Sequence, residues 1–120
     1  MCVGNEKMKK RTPAFGLRII ALYSSLPGYG AAQIIGRQLA LSGTSVDANY
    51  RASFRARSRA DFIAKLKIAE DEWDESIYWL EILSNIRPND SSLIDLIGEA
   101  EEPLSVIVAS IKTAREPRAS

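Results

Sequence analysis

The sequence predicts an all-α fold, an up-down-up-down four-helix bundle. Three observations carry this reading. Apolar residues recur every three or four positions along four long stretches. Turn signals separate those stretches at Leu26-Pro27-Gly28, between Ser53 and Arg59, and at Arg87-Pro88-Asn89-Asp90. No segment alternates with the period of two that a strand requires. At 120 residues, 46 % apolar and 26 % charged, the chain has the size and composition of one domain with a real core.

Residues 1–11 carry Lys7, Lys9, Lys10 and Arg11 without an apolar period, and read as a mobile basic tail. Thr12 followed by Pro13 is a helix start, a capping side chain before proline at the first helical position. Phe15, Ile19, Leu22 and Leu26 then mark the inner face of the first helix. The second helix covers about 31–54. Ile35, Leu39, Val46 and Tyr50 share its inner side, flanked by Ile34 and Leu41, while Gln33, Arg37, Thr44, Asp47 and Arg51 fall opposite. A polar seam of Gln38, Ser42, Ser45 and Asn49 interrupts that inner face. Ala32, Gly36, Ala40 and Gly43 form a strip of small residues suited to tight packing within one subunit.

Ser58 and Asp61 form a capping box in its aspartate form, opening a third helix over about 59–86. Phe62, Leu66, Ala69, Trp73, Ser76, Leu80 and Leu83 alternate spacings of four and three, the seam of antiparallel bundle packing. The same helix carries a second apolar strip: Ala64, Ile68, Trp79, Ile82 and Ile86. Glu75 stands within that strip, and Glu72 lies between the two seams. A helix in an isolated small bundle needs one apolar face, so the second predicts a subunit contact through Ile68, Glu72, Glu75, Trp79 and Ile82. In the fourth helix, Leu93, Ile97, Ala100, Leu104, Ile107 and Ile111 hold heptad spacing around Pro103. That proline predicts a kink near Glu99–Pro103 or two helices nearly end to end. The domain is expected to span 12–115, with a frayed tail over 116–120.

Several chemistries fall away. The chain has no histidine, which excludes a Ser–His–Asp triad, a His-containing zinc site and the Glu-x-x-His di-iron pattern. Gly28-Tyr29-Gly30 lacks the flanking strand of a phosphate loop and reads as an interhelical turn. No catalytic residue, cofactor, metal site or small-molecule substrate is expected. Cys2 is the single cysteine, so no intrachain disulfide forms, and a reducing cytoplasm is the expected location. No apolar run reaches the ~18 residues of a membrane span, and the N-terminus lacks a signal-peptide core.

Charge is divided along the chain. Residues 1–67 hold twelve Lys and Arg against three Asp and Glu, a charge of +9, and residues 68–120 hold four against twelve, a charge of −8. Such a division fits internal neutralisation, or a basic face offered to phosphates. Arg51, Arg55, Arg57 and Arg59 at the helix 2–3 corner are the candidates for RNA or DNA contact. Glu72 and Glu75 fit salt bridges to Arg37, Arg51 or Lys65 better than a metal site. The polar seam fits a hydrogen-bonded device that fixes register between helices or subunits better than a ligand site.

Taken together, Phe15, Leu26-Pro27, Gln38-Leu39, Ser42-Gly43-Thr44-Ser45, Ala48-Asn49-Tyr50, Ser58, Asp61-Phe62-Ile63, Glu72, Glu75, Tyr78-Trp79-Leu80 and Glu99-Ala100-Glu101-Glu102 resemble the bacterial four helix bundle protein family. That family is also called the 23S rRNA-intervening sequence protein family. The resemblance runs without gaps over about residues 6–115. It implies a left-handed bundle assembled into a ring, commonly a pentamer, with no established enzymatic activity. The family also looks similar in fold to accessory proteins of diversity-generating retroelements, whose basic barrels engage reverse transcriptase and nucleic acid. Three positions depart from the family: Leu41 replaces arginine, Ala52 glutamate and Pro103 leucine. If the first two belong to one polar network, their joint loss is close to neutral, and Leu41→Arg alone is expected to destabilise the chain by stranding a buried charge. The functional expectation is a non-enzymatic homo-oligomeric scaffold or adaptor, with a sequence-independent RNA- or DNA-binding accessory protein as the alternative.

Overall fold

A computed structural model describes residues 6–116, with side chains for 15–99, 104–105 and 107–116. Four helices account for it: α1 (Glu6–Ser25), α2 (Gly30–Ser53), α3 (Arg59–Ile86) and α4 (Ser91–Arg115). No strand occurs among the described residues. Each helix packs on its chain neighbours, and α1 also meets α4, so the four close around one core. The most extensive of these contacts joins α2 to α3. The molecule is a rod of 56 × 21 × 21 Å.

The start of α1 differs from the expectation. The helix begins at Glu6, upstream of Thr12-Pro13, and takes in residues 6–11 of the predicted basic tail. The run Glu6-Lys7-Met8-Lys9-Lys10-Arg11 consists of straight-chain residues that lose little rotamer freedom in a helix, and this propensity outweighs the proline signal. Residues 1–5 and 117–120, including Cys2 and most of the predicted frayed tail, lie outside the described residues. At the other end, α4 passes through Pro103 as one helix, so the pair of end-to-end helices does not form.

The helix ends follow local chemistry. Gly30 opens α2 with φ +78, a left-handed conformation that a β-carbon would strain. Ser58 Oγ accepts from Asp61 N–H at 3.0 Å, and Asp61 Oδ2 accepts from Arg57 N–H at 3.0 Å, a reciprocal cap for α3. Asp90 caps α4 by accepting from Ser92 N–H at 3.1 Å.

All seven predicted α3 seam residues are buried, from Phe62 to Leu83. They meet Phe15, Ile19 and Leu22 of α1, Leu26 just past its end, Leu39, Val46 and Tyr50 of α2, and Leu93, Leu96, Ile107 and Ile111 of α4. Trp73 lies at the centre, stacked on Phe15 with ring centroids 5.3 Å apart. Gly36 and Gly43 face α1, where Leu26, Tyr23 and Ile19 occupy the space that β-carbons would need. The small-residue strip therefore serves packing inside the subunit.

The polar seam is narrower than predicted. Ser42 is buried, and its Oγ lies 2.9 Å from the buried Ser76 Oγ of α3. Ser45 and Asn49 are half-buried, and Asn49 Nδ2 donates to Ser45 O at 2.9 Å within α2. Gln38 is exposed and takes no part. It lies about 100° from Leu39 around the helix, past the edge of the core-facing arc. Leu41 is 59 % exposed, so an arginine there is solvated and the buried-charge argument for Leu41→Arg does not apply.

Candidate functional site

Two surface features hold the site residues that the sequence predicts outside the core. The first is the outer strip of α3. Ile68 and Ile86 are each 45 % exposed, and Trp79 and Ile82 are half-buried beside them. Tyr78 adds an exposed ring, packed edge-on against Trp79 at 4.9 Å. Trp79 Nε1 donates to Glu75 Oε1 at 3.3 Å, which fixes the indole over the strip. Burial and then the neighbouring Glu75 carboxyl raise the Glu72 pKa above its ordinary value.

No ion pair among the described residues reaches Glu72 or Glu75. None of the expected bridges to Arg37, Arg51 or Lys65 forms among the described residues, and Lys65 Nζ is held instead by Asp61 Oδ1 at 2.6 Å, one turn before it. Neither Arg37 nor Arg51 has an ion-pair partner among the described residues. No three metal-ligating side chains converge among them either. The five predicted subunit-contact residues thus share one face, acidic in the middle and apolar at both ends.

The second feature is a cleft of about 290 Å³ at the α2–α3 corner, open to solvent and lined by Ala48, Arg51, Ala52, Arg55, Arg57, Asp61 and Lys65. Arg51 stands in the last turn of α2, and Arg55 and Arg57 come from the connection that follows it. The short side chains of Ala48 and Ala52 leave the hollow between them. Three of the four predicted arginines meet here. The fourth does not: Arg59 donates through Nε to Ala114 O and through Nη2 to Glu116 O. A cation on the last carbonyls of α4 caps that helix, so Arg59 ties the C-terminal end to α3.

Asp61 and Lys65 were not among the predicted site residues. Their signal was present in the i, i+4 spacing of opposite charges behind the Ser58 cap. The Lys65 ammonium and the Arg57 N–H hold the Asp61 carboxyl below its ordinary pKa. The acid is therefore engaged mainly with its own helix start, and among the described residues Arg51, Arg55 and Arg57 form no ion pair, although the Arg57 charge also favours the ionised acid.

A third position escaped sequence reading altogether. Asp47, expected to face outward, sits against Gly16 of α1, and its carboxyl occupies the place of the missing side chain. Its Oδ1 is buried without a hydrogen-bond partner, and burial raises its pKa to about 7. Asp47 lies eight residues beyond Leu39, only about 80° around the helix, which turns it toward α1.

Comparison with known proteins agrees with the resemblance in the sequence. The family model described as 23S rRNA-intervening sequence protein matches residues 5–109. A crystal structure of a protein of unknown function from the S23 ribosomal protein family of Bacteroides thetaiotaomicron superposes with a TM-score of 0.80. The two are 33 % identical, over 88 % of this chain and 98 % of that one. No curated protein matches the chain.

Proposed function

The chain belongs to the 23S rRNA-intervening sequence protein family, and on that premise we propose that it is a non-enzymatic scaffold built from copies of itself. Each copy is an up-down-up-down, left-handed four-helix bundle with α4 kinked at Pro103. The short connections between long helices support antiparallel neighbours. The copies close into a ring, a pentamer by the resemblance.

One observation carries this reading: the outer strip of α3 is apolar at Ile68, Trp79, Ile82 and Ile86, with Ile68 and Ile86 exposed and Trp79 and Ile82 only half-buried. Its positions 68, 72, 75, 79, 82 and 86 keep the four-three spacing of a helix-packing seam. The outward face of α2 offers a counterpart in Ile34, Arg37 and Leu41, also at packing spacing, with Ile34 62 % and Leu41 59 % exposed. Arg37 is complementary in charge to Glu72 and Glu75. Two different faces that fit each other make a head-to-tail contact, which closes as a ring when the rotation between copies divides a full turn.

Sedimentation and light scattering test this. An assembly of several copies is expected, and Ile68→Glu is expected to dissociate it while leaving the melting temperature of the separate chain nearly unchanged. A wild-type protein that sediments as a single chain at micromolar concentration overturns the proposal.

A second reading is sequence-independent binding of RNA or DNA by the α2–α3 corner. It is favoured by the convergence of Arg51, Arg55 and Arg57 on one cleft. Ring symmetry would repeat that cleft, and linked weak sites bind one polymer far more tightly than one site does.

A further inference from the structure

We propose that the α2–α3 corner cleft is a discrete phosphate-binding site, in which Arg51, Arg55 and Arg57 together grip one phosphate group. This rests on the second reading above, and it names the chemistry and the residues that reading requires. Three arginines line one hollow of about 290 Å³, and none has an ion-pair partner among the described residues. Arg51, Arg55, Arg57 and Lys65 outnumber the one carboxylate, Asp61, that lines the same hollow, and this excess of positive charge favours a further anion there.

The guanidinium fork matches the tetrahedral oxygens of phosphate with paired hydrogen bonds, which lysine cannot reproduce. Asp61 lines the same cleft, but its oxygens are committed to Lys65 Nζ and Arg57 N–H. In this role Asp61 anchors the backbone of Arg57 and draws Lys65 to the rim. Ala48 and Ala52 keep the floor low enough for a phosphate to reach all three arginines. Arg59 stands outside the set, since its donors are used by Ala114 O and Glu116 O.

The phosphate can come from a polynucleotide backbone or from a free phosphate, and two arms of one experiment distinguish them. In the first, a fluorescent oligouridylate is titrated with full-length protein at rising salt. Arg51→Ala, Arg55→Ala and Arg57→Ala are each expected to weaken binding, and the triple alanine variant to lower the slope of log K against log salt by roughly 0.7, the loss of one phosphate contact. Arg51 and Arg55 are exposed, so the melting temperature should hold and serves as the folding control.

In the second arm, inorganic phosphate alone is titrated while the arginine side-chain NMR signals are followed. Shifts confined to these three residues are expected. If the oligonucleotide binds with an unchanged slope in the triple alanine variant, the cleft assignment fails and nucleic-acid binding elsewhere survives. If inorganic phosphate shifts the arginines but no oligonucleotide binds, the cleft stands and the polynucleotide reading falls. Silence in both arms overturns both.

Discussion

Asp47 is the residue whose surroundings most change its chemistry. Its carboxyl fills the space beside Gly16, and burial raises its pKa to about 7 from 3.8. The folded chain therefore keeps a proton that the unfolded chain releases near pH 3.8. Between those two values the folded state binds more protons, so this group makes stability fall as pH rises. Below about pH 4 it imposes no penalty, and above about pH 7 the penalty is complete. Asp47→Asn removes the titration. The melting temperature of the variant, relative to wild type, is expected to climb between pH 4 and 8. Because Asp61 and Asp90 have lowered pKa values, they act in the opposite direction in both proteins and cancel in the difference. A difference that stays flat with pH would mean that the carboxylate is ionised and solvated throughout. Gly16→Ala is the steric partner of this test, because its β-carbon would fall on the Asp47 carboxyl.

Among the elements, α2 shows how close approach was achieved and what it constrains. Gly43 is buried against Ile19, and a β-carbon there would meet the Ile19 side chain, itself fully buried. Overpacking of this kind costs about 1–3 kcal/mol. Alanine returns about 1 kcal/mol in helix propensity. Gly43→Ala is thus expected to lower stability by up to about 2 kcal/mol in thermal or urea melts, although alanine stabilises most exposed helices. A rise in stability would show that α1 shifts freely away from α2. The α3 seam was fully legible in the sequence, since 28 residues without glycine or proline hold one register and burial follows directly. On α1 the inner face was legible too, but the start was not, because a cap and proline competed with good helix formers upstream. Gln38 and Asp47 were misplaced for a common reason. Both lie at the edges of the α2 core arc, about 80–100° from Leu39. At such angles the neighbouring helix decides what is buried, and the periodicity of one helix does not contain its neighbour. In the cleft, the arginines were readable as charges, but the diversion of Arg59 to α4 depends on a contact between residues 55 apart.

At the scale of the whole molecule, the division of charge is partly resolved within the chain, as Arg18 of α1 pairs with Glu99 of α4. Glu72 and Glu75 are not so matched, and this gives the proposed assembly a pH dependence of definite sign. In the separate chain, burial and the Glu75 carboxyl make Glu72 hold its proton above the ordinary carboxylate range. A guanidinium brought against the pair by another copy would favour the ionised form and lower that pKa. Assembly would then release a proton over the interval between the two values, so association should strengthen as pH rises through it. Sedimentation velocity at fixed concentration, from the ordinary carboxylate range up to neutral pH, measures this as a growing assembled fraction. Glu72→Gln is expected to flatten the trend by removing the proton that assembly expels. Asp47→Asn should leave it in place, because that carboxyl titrates between α1 and α2, away from the α3 strip. Association that weakens with rising pH, or a trend untouched by Glu72→Gln, would mean that no cation meets the acidic pair. The seam joining the copies would then lie on another face.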